Sequence, residues 1–366
     1  MRKVLVAFGT RPEAIKLAPV VLALEQSPSF EPVVVVTAQH REMLDQVLSL
    51  FEIKPDHDLD LMREGQTLTE ITTRALTELA PYLAREKPDL LLVQGDTTTT
   101  MAASLAAFYA RVPVFHVEAG LRTGDPYYPY PEEVNRRITT VIAAHHFAPT
   151  ERARRNLLKE GIADSVITVT GNTVIDALLE VVQIEPKRAP KLPLRGSRIL
   201  LVTAHRRENF GAPLEEILLG LLELAEKYPD VDIVYPVHRN PQVNGPVRAA
   251  LTGVAGIHLT DPLEYKAFCD LMASSYLILT DSGGIQEEAP SLGKPVLVLR
   301  DETERPEAVE AGVVKLVGPH REAMVAAATT LLDNQGSYAA MANKMNPYGD
   351  GKAAERIVAK IRRMLP

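Results

Sequence analysis

Short apolar runs alternate with longer helical patterns along the chain, and this alternation constrains the fold more than any other feature of the sequence. In the first half, runs rich in Val and Leu predict strands that are buried on both faces of a parallel sheet. They lie at residues 4–8, 33–37, 90–93 and 114–117. Helical patterns separate them, near residues 13–26, 42–51, 68–85 and 98–110. This order is typical of βαβ units and predicts a doubly wound α/β sheet.

The alternation starts again in the second half. Strands are predicted at residues 199–203, 233–236, 277–280 and 296–299, with helices near 213–227, 241–251 and 264–273. Residues 184–197 contain three prolines and few residues able to build a core, so we expect the interdomain linker there. A last helix, at about residues 352–364, has one apolar face, but the pattern does not show which domain it packs against. We expect two Rossmann-like domains with a cleft between them, whose ligands bind beyond the carboxyl ends of the strands.

Composition narrows the class of protein. Lys and Arg total 40 against 47 Asp and Glu, and the net charge of -7 argues against a nucleic-acid-binding surface. The single cysteine, Cys269, excludes an intramolecular disulfide and fits a reducing compartment. The apolar runs are too short for a membrane span, and the first one is too short for a signal peptide. We expect a soluble, cytoplasmic protein.

The first predicted strand runs into a loop that is suited to an anion. Gly9 permits a tight turn, and the helix that follows offers free N–H groups at its start. Arg11 and Lys16 add positive charge, although a plain turn with a lysine reaching toward solvent explains the same pattern. Neither a G-x-G-x-x-G fingerprint nor a Walker A sequence occurs here, which argues against hydride transfer and ATP hydrolysis.

Three carboxylates follow strands of the first half. Asp96 comes after the strand at 90–93, Glu118 ends the strand at 114–117, and Glu132 stands just before a helix. Because parallel strands end at the same edge of a sheet, all three are expected to converge on one cleft. Each alone also fits a structural role; Glu132, for example, is favourable at a helix N-terminus.

A basic loop follows the first strand of the second half. His205, Arg206 and Arg207 lie together there, and guanidinium groups bind diphosphate oxygens in pairs. A solvated basic loop is the alternative. Arg305 is a third candidate cation, and His238 is placed to face the same cleft, although a lone histidine is more often structural.

A strand, a hydroxyl and two glycines precede another helix in the second half. Ser282, Gly283 and Gly284 predict a backbone cradle for a phosphate group. Glu288 lies about one turn into that helix, where it can accept hydrogen bonds from ribose hydroxyls. No metal site is expected, since His145 and His146 lack ligand spacing and H-E-x-x-H and C-x-x-C motifs are absent. The residues predict a nucleotide-diphosphate ligand and suggest sugar chemistry, without naming a reaction.

Motifs along nearly the whole chain resemble those of the non-hydrolysing UDP-N-acetylglucosamine 2-epimerases. They read FGTRPEAIK (8–16), QHREMLDQ (39–46), GDTTTT (95–100), HVEAGLRTG (116–124), TDSGGIQEEAP (280–290) and NPYGDG (346–351). The resemblance implies the two-domain fold of B-type glycosyltransferases, with a C-terminal helix that returns to the first domain. We therefore expect the first domain at residues 1–172 with 350–366 and the second at 173–349, with the linker at about 184–197. The resemblance also implies a homodimer.

The same resemblance implies an activity that needs no cofactor. Members interconvert UDP-GlcNAc and UDP-ManNAc by inversion at C2, through anti elimination of UDP to 2-acetamidoglucal and re-addition, which supplies cell-surface polysaccharide synthesis. The family's catalytic positions correspond to Asp96, Glu118, Glu132 and His205. Its UDP-binding positions correspond to Arg11, Lys16, Phe268, Ser282, Gly283, Gly284, Glu288 and Arg305.

Some members are activated by UDP-GlcNAc at a second site, whose positions correspond to Gln39, Glu132, Arg206 and His238. Two positions depart from those members: Glu42 replaces a glutamine and Gly65 replaces an arginine. We expect activation to be partly retained.

Three alternatives to the non-hydrolysing epimerase remain open. They are a hydrolysing epimerase, a B-type glycosyltransferase using the same nucleotide sugar, and a non-catalytic sensor. The sensor predicts loss of the three carboxylates, and all three are present.

Overall fold

The chain forms two parallel β-sheets, each flanked by helices. A computed structural model describes residues 1–37, 41–61, 63, 65–196 and 198–365. It divides into two compact units, one comprising Met1–Ala177 with Tyr348–Pro366 and the other Leu178–Pro347. Doubly wound α/β architecture, as predicted, is confirmed in each unit.

The first sheet has seven parallel strands among the described residues, in the order β3-β2-β1-β4-β5-β6-β7. These strands are β1 (Arg2–Phe8), β2 (Phe30–Val36), β3 (His57–Asp58), β4 (Leu90–Gln94), β5 (Val114–Val117), β6 (His145–Ala148) and β7 (Ile167–Val169). The second sheet is also parallel, in the order β10-β9-β8-β11-β12-β13. Its strands are β8 (Arg198–Thr203), β9 (Val231–Pro236), β10 (Ile257–Thr260), β11 (Leu277–Thr280), β12 (Val296–Val298) and β13 (Val314–Leu316).

Helices connect the strands and cover the sheets. They are α1 (Arg11–Glu25), α2 (Arg41–Leu50), α3 (Leu68–Glu86), α4 (Thr98–Tyr109), α5 (Glu132–Ile142), α6 (Glu151–Lys159), α7 (Thr173–Val181), α8 (Ala212–Lys227), α9 (Pro241–Leu251), α10 (Tyr265–Ser274), α11 (Gly283–Glu288), α12 (Pro306–Ala311), α13 (Arg321–Asp333), α14 (Gln335–Ala342) and α15 (Ala353–Met364). Within the described part of the chain, no helix is both long enough and apolar enough to span a membrane.

The central strands are apolar on both faces because helices cover both sides of the sheet. β1 and β4 pair in register from Val4 opposite Leu90, and both residues are fully buried. In the second sheet, β8 and β11 pair with Leu200 opposite Leu277, which are likewise fully buried. All eight strands predicted from apolar runs are confirmed, with ends shifted by at most a few residues.

The C-terminal helix α15 belongs to the first unit, where it packs against α1. Ile357 and Ile361 on its apolar face are fully buried. Asp176 on α7 accepts a hydrogen bond of 2.8 Å from the N–H of Ala354 at the start of α15. This contact holds the first part of α7 in the first unit, so the division follows Ala177, whereas the sequence-based boundary follows residue 172.

Candidate functional site

The strand order of each sheet reverses between its two central strands. The reversal lies between β1 and β4 in the first sheet and between β8 and β11 in the second. In open α/β sheets, ligands bind outside the carboxyl ends of the strands at this switch point. Arg11 and Asp96 follow β1 and β4, and His205 and Ser282 follow β8 and β11. The predicted residues therefore lie where each fold favours a ligand.

Glu13 locks together the two loops at the switch point of the first unit. Its carboxylate is almost fully buried and accepts hydrogen bonds from the N–H groups of Gly9 and Thr10, at 3.0 and 2.8 Å. The hydroxyls of Thr97 and Thr100, beyond β4, donate to its other oxygen at 2.6 and 2.9 Å. Burial raises the pKa of Glu13, and these hydrogen bonds oppose that rise. No motif in the sequence indicates this role for Glu13.

Position 9 requires glycine because a side chain does not fit there. A Cβ atom at this position would lie 2.0 Å from the hydroxyl of Thr37 and 2.7 Å from that of Thr99. The backbone must therefore approach these side chains too closely for any other residue, which differs from the tight-turn explanation given by the sequence. Arg11 follows as the half-buried first residue of α1, and its guanidinium makes no hydrogen bond or ion pair with another described residue.

Glu118 is held by several donors just after β5. The ammonium of Lys16 lies 2.5 and 2.7 Å from its two carboxylate oxygens, and the Asn172 amide donates at 3.0 Å. The Gln94 amide also donates to it. Its backbone has φ 61°, a left-handed conformation that is uncommon for a residue with a side chain. The loop pattern predicts a contact between Lys16 and a diphosphate, whereas in the structure its ammonium pairs with Glu118.

Asp96 is fixed by the second turn of α5. The Arg136 guanidinium lies 2.5 Å from one of its carboxylate oxygens, and the Asn135 amide donates to its backbone carbonyl at 3.0 Å. Burial raises the pKa of the Asp96 carboxyl, with Arg136 opposing the rise and the nearby Glu118 adding to it. A carboxyl with a raised pKa is suited to proton transfer near neutral pH.

Glu132 begins α5 and lies four residues before Arg136, so the two share one face of the helix. One of its carboxylate oxygens is buried without a hydrogen-bond partner among the described residues. The neighbouring Glu133 is different, since it accepts from the N–H groups of Thr123 and Gly124 and pairs with Arg136. Glu133 therefore supports the loop, while Glu132 is available to a ligand.

In the second unit, Asp281 organises the basic loop after β8. One of its oxygens accepts the N–H groups of His205 and Arg206, each at 2.8 Å, and the Asn209 amide at 3.0 Å. The His205 ring stacks on the His238 ring, with centroids 5.3 Å apart and planes 14° apart. Burial lowers the pKa of His205, and the negative charge of Asp281 opposes this effect.

Two arginines flank the Gly283 backbone, each paired with a carboxylate. Arg206 lies 2.9 Å from Glu304, and Arg305 pairs with Glu287. A Cβ atom at Gly283 would lie 3.2 Å from a Glu304 oxygen and 3.8 Å from the Arg305 guanidinium carbon, so the cations line this turn. The Ser282 hydroxyl does not cap α11, and its N–H donates to a threonine hydroxyl in β11.

Glu288 is buried at the end of α11, and the Tyr265 hydroxyl donates to it at 3.3 Å. Tyr265 begins α10, and the half-buried Phe268 follows it after three residues. Gly284 is close to the same carboxylate, since a Cβ there would lie 3.8 Å from Glu288. The groups predicted to bind a nucleoside therefore lie on two short helices, α10 and α11.

Comparison with known proteins settles the family. A family model described as UDP-N-acetylglucosamine 2-epimerase matches residues 22–362. The chain belongs to this family. It is 58% identical to UDP-N-acetylglucosamine 2-epimerase of Escherichia coli K12 over 369 residues, which cover 98% of each chain.

Solved structures of similar proteins agree with this membership. A Listeria monocytogenes protein superposes with a TM-score of 0.94 at 51% identity, over 99% of this chain and 96% of that one. The UDP-GlcNAc 2-epimerase of Neisseria meningitidis, solved bound to UDP-GlcNAc, gives 0.86 at 52% identity, over 99% of this chain and 100% of that one.

Within this epimerase-family chain, the structure brings together most of the predicted residues of each unit. Of the positions assigned to a second, activating site, Arg206 and His238 adjoin His205, and Gln39 lies outside the described residues.

Among the described residues, no group of three or more His, Cys, Asp and Glu side chains is arranged to hold a metal ion. Cys269 is buried, and burial raises the pKa of its thiol.

Proposed function

We propose that this protein interconverts UDP-GlcNAc and UDP-ManNAc by inverting C2 of the sugar, without hydrolysing the nucleotide sugar. The observation that carries the proposal is the cluster of carboxylates beside the switch point of the first sheet. Glu118 is fixed by Lys16, Asp96 is fixed by Arg136, and Glu132 shares a face of α5 with that arginine. The UDP-GlcNAc bound in the related Neisseria meningitidis enzyme supports the choice of substrate.

Elimination solves the chemical difficulty of this reaction. The proton on C2 is not acidic, because no carbonyl group adjoins that carbon. When the C1–O bond to UDP breaks, C1 acquires oxocarbenium character and the C2 proton becomes removable. A carboxylate takes the proton, leaving 2-acetamidoglucal and UDP. A proton is then delivered to the opposite face of C2 while an oxygen of UDP attacks C1, which restores the C1–O bond.

The two faces of C2 require acid–base groups on both sides of the sugar. Asp96, Glu118 and Glu132 supply these groups in our proposal. The raised pKa of Asp96 suits a carboxyl that must both hold and release a proton near neutral pH. Glu118 remains close to a fixed ammonium, so its charge is balanced while the substrate is bound.

The departing UDP carries increasing negative charge, and stabilising that charge is usually the largest electrostatic contribution to such a reaction. We assign this role to cations and backbone donors at the starts of α1 and α11, with His205 near the diphosphate. Glu288 accepts the ribose hydroxyls and Phe268 packs on the base. The full set of UDP-binding residues in this proposal is Arg11, Lys16, Phe268, Ser282, Gly283, Gly284, Glu288 and Arg305.

Proton NMR of UDP-GlcNAc incubated with the protein in deuterated water tests the reaction directly. UDP-ManNAc carrying deuterium at C2 is the expected product, because the proton removed from C2 exchanges with solvent. Free ManNAc and UDP would instead indicate a hydrolysing epimerase. No turnover, with UDP-GlcNAc shown to bind, would contradict the proposal and favour a glycosyltransferase that lacks its acceptor. The protein is also expected to be a homodimer, which light scattering after size-exclusion chromatography measures.

A further inference from the structure

The Asp281 carboxylate has one satisfied oxygen and one unsatisfied oxygen. It follows β11 and is fully buried. Its Oδ2 atom accepts three hydrogen bonds, from the backbone N–H groups of His205 and Arg206 and from the Asn209 amide. Its Oδ1 atom is buried and accepts no hydrogen bond from any described residue. A buried carboxylate oxygen without a donor is costly, so its retention calls for an explanation.

One ring nitrogen lies close to this unsatisfied oxygen. His205 Nδ1 is 3.5 Å from Asp281 Oδ1, somewhat beyond the distance of about 3.2 Å at which N–H groups donate to oxygen. The His205 side chain keeps about a third of its surface exposed, so the ring has room to turn toward the carboxylate. Catalytic hydrogen bonds are often long in the free enzyme and shorten when the ligand binds.

We propose that Asp281 is a positioning residue for His205, accepting its Nδ1–H at Oδ1 and thereby presenting Nε2 to the ligand. The catalytic consequence rests on the proposed function. A carboxylate at Nδ1 favours the protonated imidazolium, whose Nε2–H donates to a diphosphate oxygen as UDP departs. The pairing also explains why Asp281 carries an oxygen that the loop itself does not use.

Other charges near His205 act on its pKa, some raising it and some lowering it. Its own loop contributes Arg206, which disfavours the imidazolium, and Glu208, which favours it. His238, stacked on the ring from the loop after β9, also disfavours it. Asp281 provides the largest favourable charge, and it acts against the burial that lowers the pKa of His205. Removing that negative charge is therefore expected to lower the pKa of His205 further.

Asp281→Asn separates positioning from loop support. The amide oxygen of the variant still accepts the N–H groups of His205 and Arg206, while its NH2 group faces His205 Nδ1 and donates to it. The neutral ring then carries its proton on Nε2 and can still donate to a diphosphate oxygen, but it lacks the positive charge of the imidazolium that Asp281 stabilises in the wild type. We expect kcat to fall by at least about tenfold, with KM and UDP affinity changing less than about threefold. The high-pH limb of the kcat profile is expected to move to lower pH.

Asp232→Asn is a matched control within the same unit. Asp232 is also fully buried, and it accepts the backbone N–H groups of Arg195 and Gly196, each at 2.8 Å, and His258 Nε2 at 2.8 Å. It lies at the start of β9, so the variant loses an equivalent buried carboxylate away from the predicted UDP groups. We expect a cost in stability, with kcat and its pH profile unchanged.

Nitrogen NMR of the histidine rings tests the pairing without depending on activity. In the wild-type protein with UDP, above the pKa of His205, we expect the neutral ring to be protonated on Nδ1. His205→Gln identifies its signals among the nine histidines. An Nε2–H tautomer in the wild type would overturn the proposal, as would unchanged His205 signals and kcat in folded Asp281→Asn. If the wild type fails to epimerise UDP-GlcNAc, the proposed function fails, and the ring tautomer still decides the pairing.

Discussion

Lys16 Nζ lies 2.5 Å from one carboxylate oxygen of Glu118 and 2.7 Å from the other. The two side chains expose only 18% and 10% of their surface, so water screens this pair weakly. The contact joins α1 to the end of β5. It keeps a charged carboxylate at the sheet edge, because the cation compensates for the water that Glu118 has lost.

Removing the cation is expected to destabilise the first unit. Lys16→Met removes the ammonium from the buried Glu118 carboxylate, while amide donors such as Asn172 remain. We expect the free energy of unfolding to fall by about 2 kcal/mol, below the range measured for fully buried pairs because some exposure remains. Urea titration of both single variants and of the Lys16→Met/Glu118→Gln double variant measures the coupling. Additive single effects would show that the contact contributes nothing.

Neutralising any of the three carboxylates is expected to stop the chemistry before it stops binding. Asp96→Asn, Glu118→Gln and Glu132→Gln should each lower kcat by at least about a hundredfold, the usual contribution of an acid or base. Calorimetric titration should still detect UDP. Asp164→Asn, an exposed carboxylate paired with Arg154, is the control and should keep full activity. Near-normal turnover in a variant would remove that residue from the mechanism.

Three buried histidines are expected to make stability fall in acid. Burial lowers the pKa of His116 to about 3 and the pKa values of His145 and His146 to about 4. The unfolded chain protonates them near pH 6.5, so the folded state binds fewer protons below that pH. The contribution of these histidines to folding stability is therefore complete above about pH 6.5, and it is lost as the pH falls toward their pKa values in the folded state.

The raised pKa values of Glu13, Asp96 and Asp176 oppose this trend, because those groups bind protons first in the folded state. A single substitution isolates the histidine effect. Between pH 5 and 6, the slope of unfolding free energy against pH should be smaller in His146→Gln by about 1 kcal/mol per pH unit. Above about pH 7.5, the two slopes should coincide. Equal slopes at pH 5–6 would mean that His146 is already protonated in the folded state.

The same histidines show why part of the fold escapes sequence reasoning. Strands β1, β4 and β5 are predictable because apolar runs identify strands that are buried on both faces. Strand β6 begins with His145 and His146, which look polar in the sequence but are buried as neutral rings. β13 is only three residues long and contains Lys315, so no apolar run marks it.

The candidate site is likewise only partly predictable from the sequence. Asp96 and Glu118 are predictable because polar residues that directly follow buried strands lie at the sheet edge. Their partners are not, since Arg136 and Asn172 lie 40 and 54 residues away along the chain and meet them only through the tertiary fold. The role of Lys16 is the least predictable, because the helical pattern around it fits a lysine near solvent as well as one that contacts a ligand.

Activation by UDP-GlcNAc is expected to be weakened but present. The family resemblance implies an arginine at position 65 in activated members, so with Gly65 we expect one charged contact with a second diphosphate to be missing. Initial rates with UDP-ManNAc should rise when trace UDP-GlcNAc is added; identical rates would end the hypothesis. Gly65→Arg should lower the half-activating concentration by about tenfold or more. Gly65→Gln shares the strain of a side chain at φ 75° and is the matched control.

Arg305 is expected to affect UDP binding before it affects turnover. It flanks the Gly283 backbone and pairs with Glu287, which is almost fully buried. Arg305→Ala removes a charge-assisted contact worth about 1.5–3 kcal/mol, so the Kd for UDP should rise about ten- to a hundredfold. At saturating substrate, kcat should fall much less. Calorimetric titration with UDP and steady-state rates measure the two effects separately.

Loss of Arg305 also removes the cation that pairs with the buried Glu287, and a buried negative charge that loses its cation weakens anion binding by itself. The Arg305→Ala/Glu287→Gln double variant separates these causes. If the guanidinium contacts UDP, the double variant recovers stability but keeps the raised Kd. If the Kd returns to the wild-type value, the effect came from Glu287 and Arg305 does not bind UDP. Arg321→Ala, an exposed arginine on α13 that pairs with Glu223, should leave the Kd unchanged and so controls for net charge.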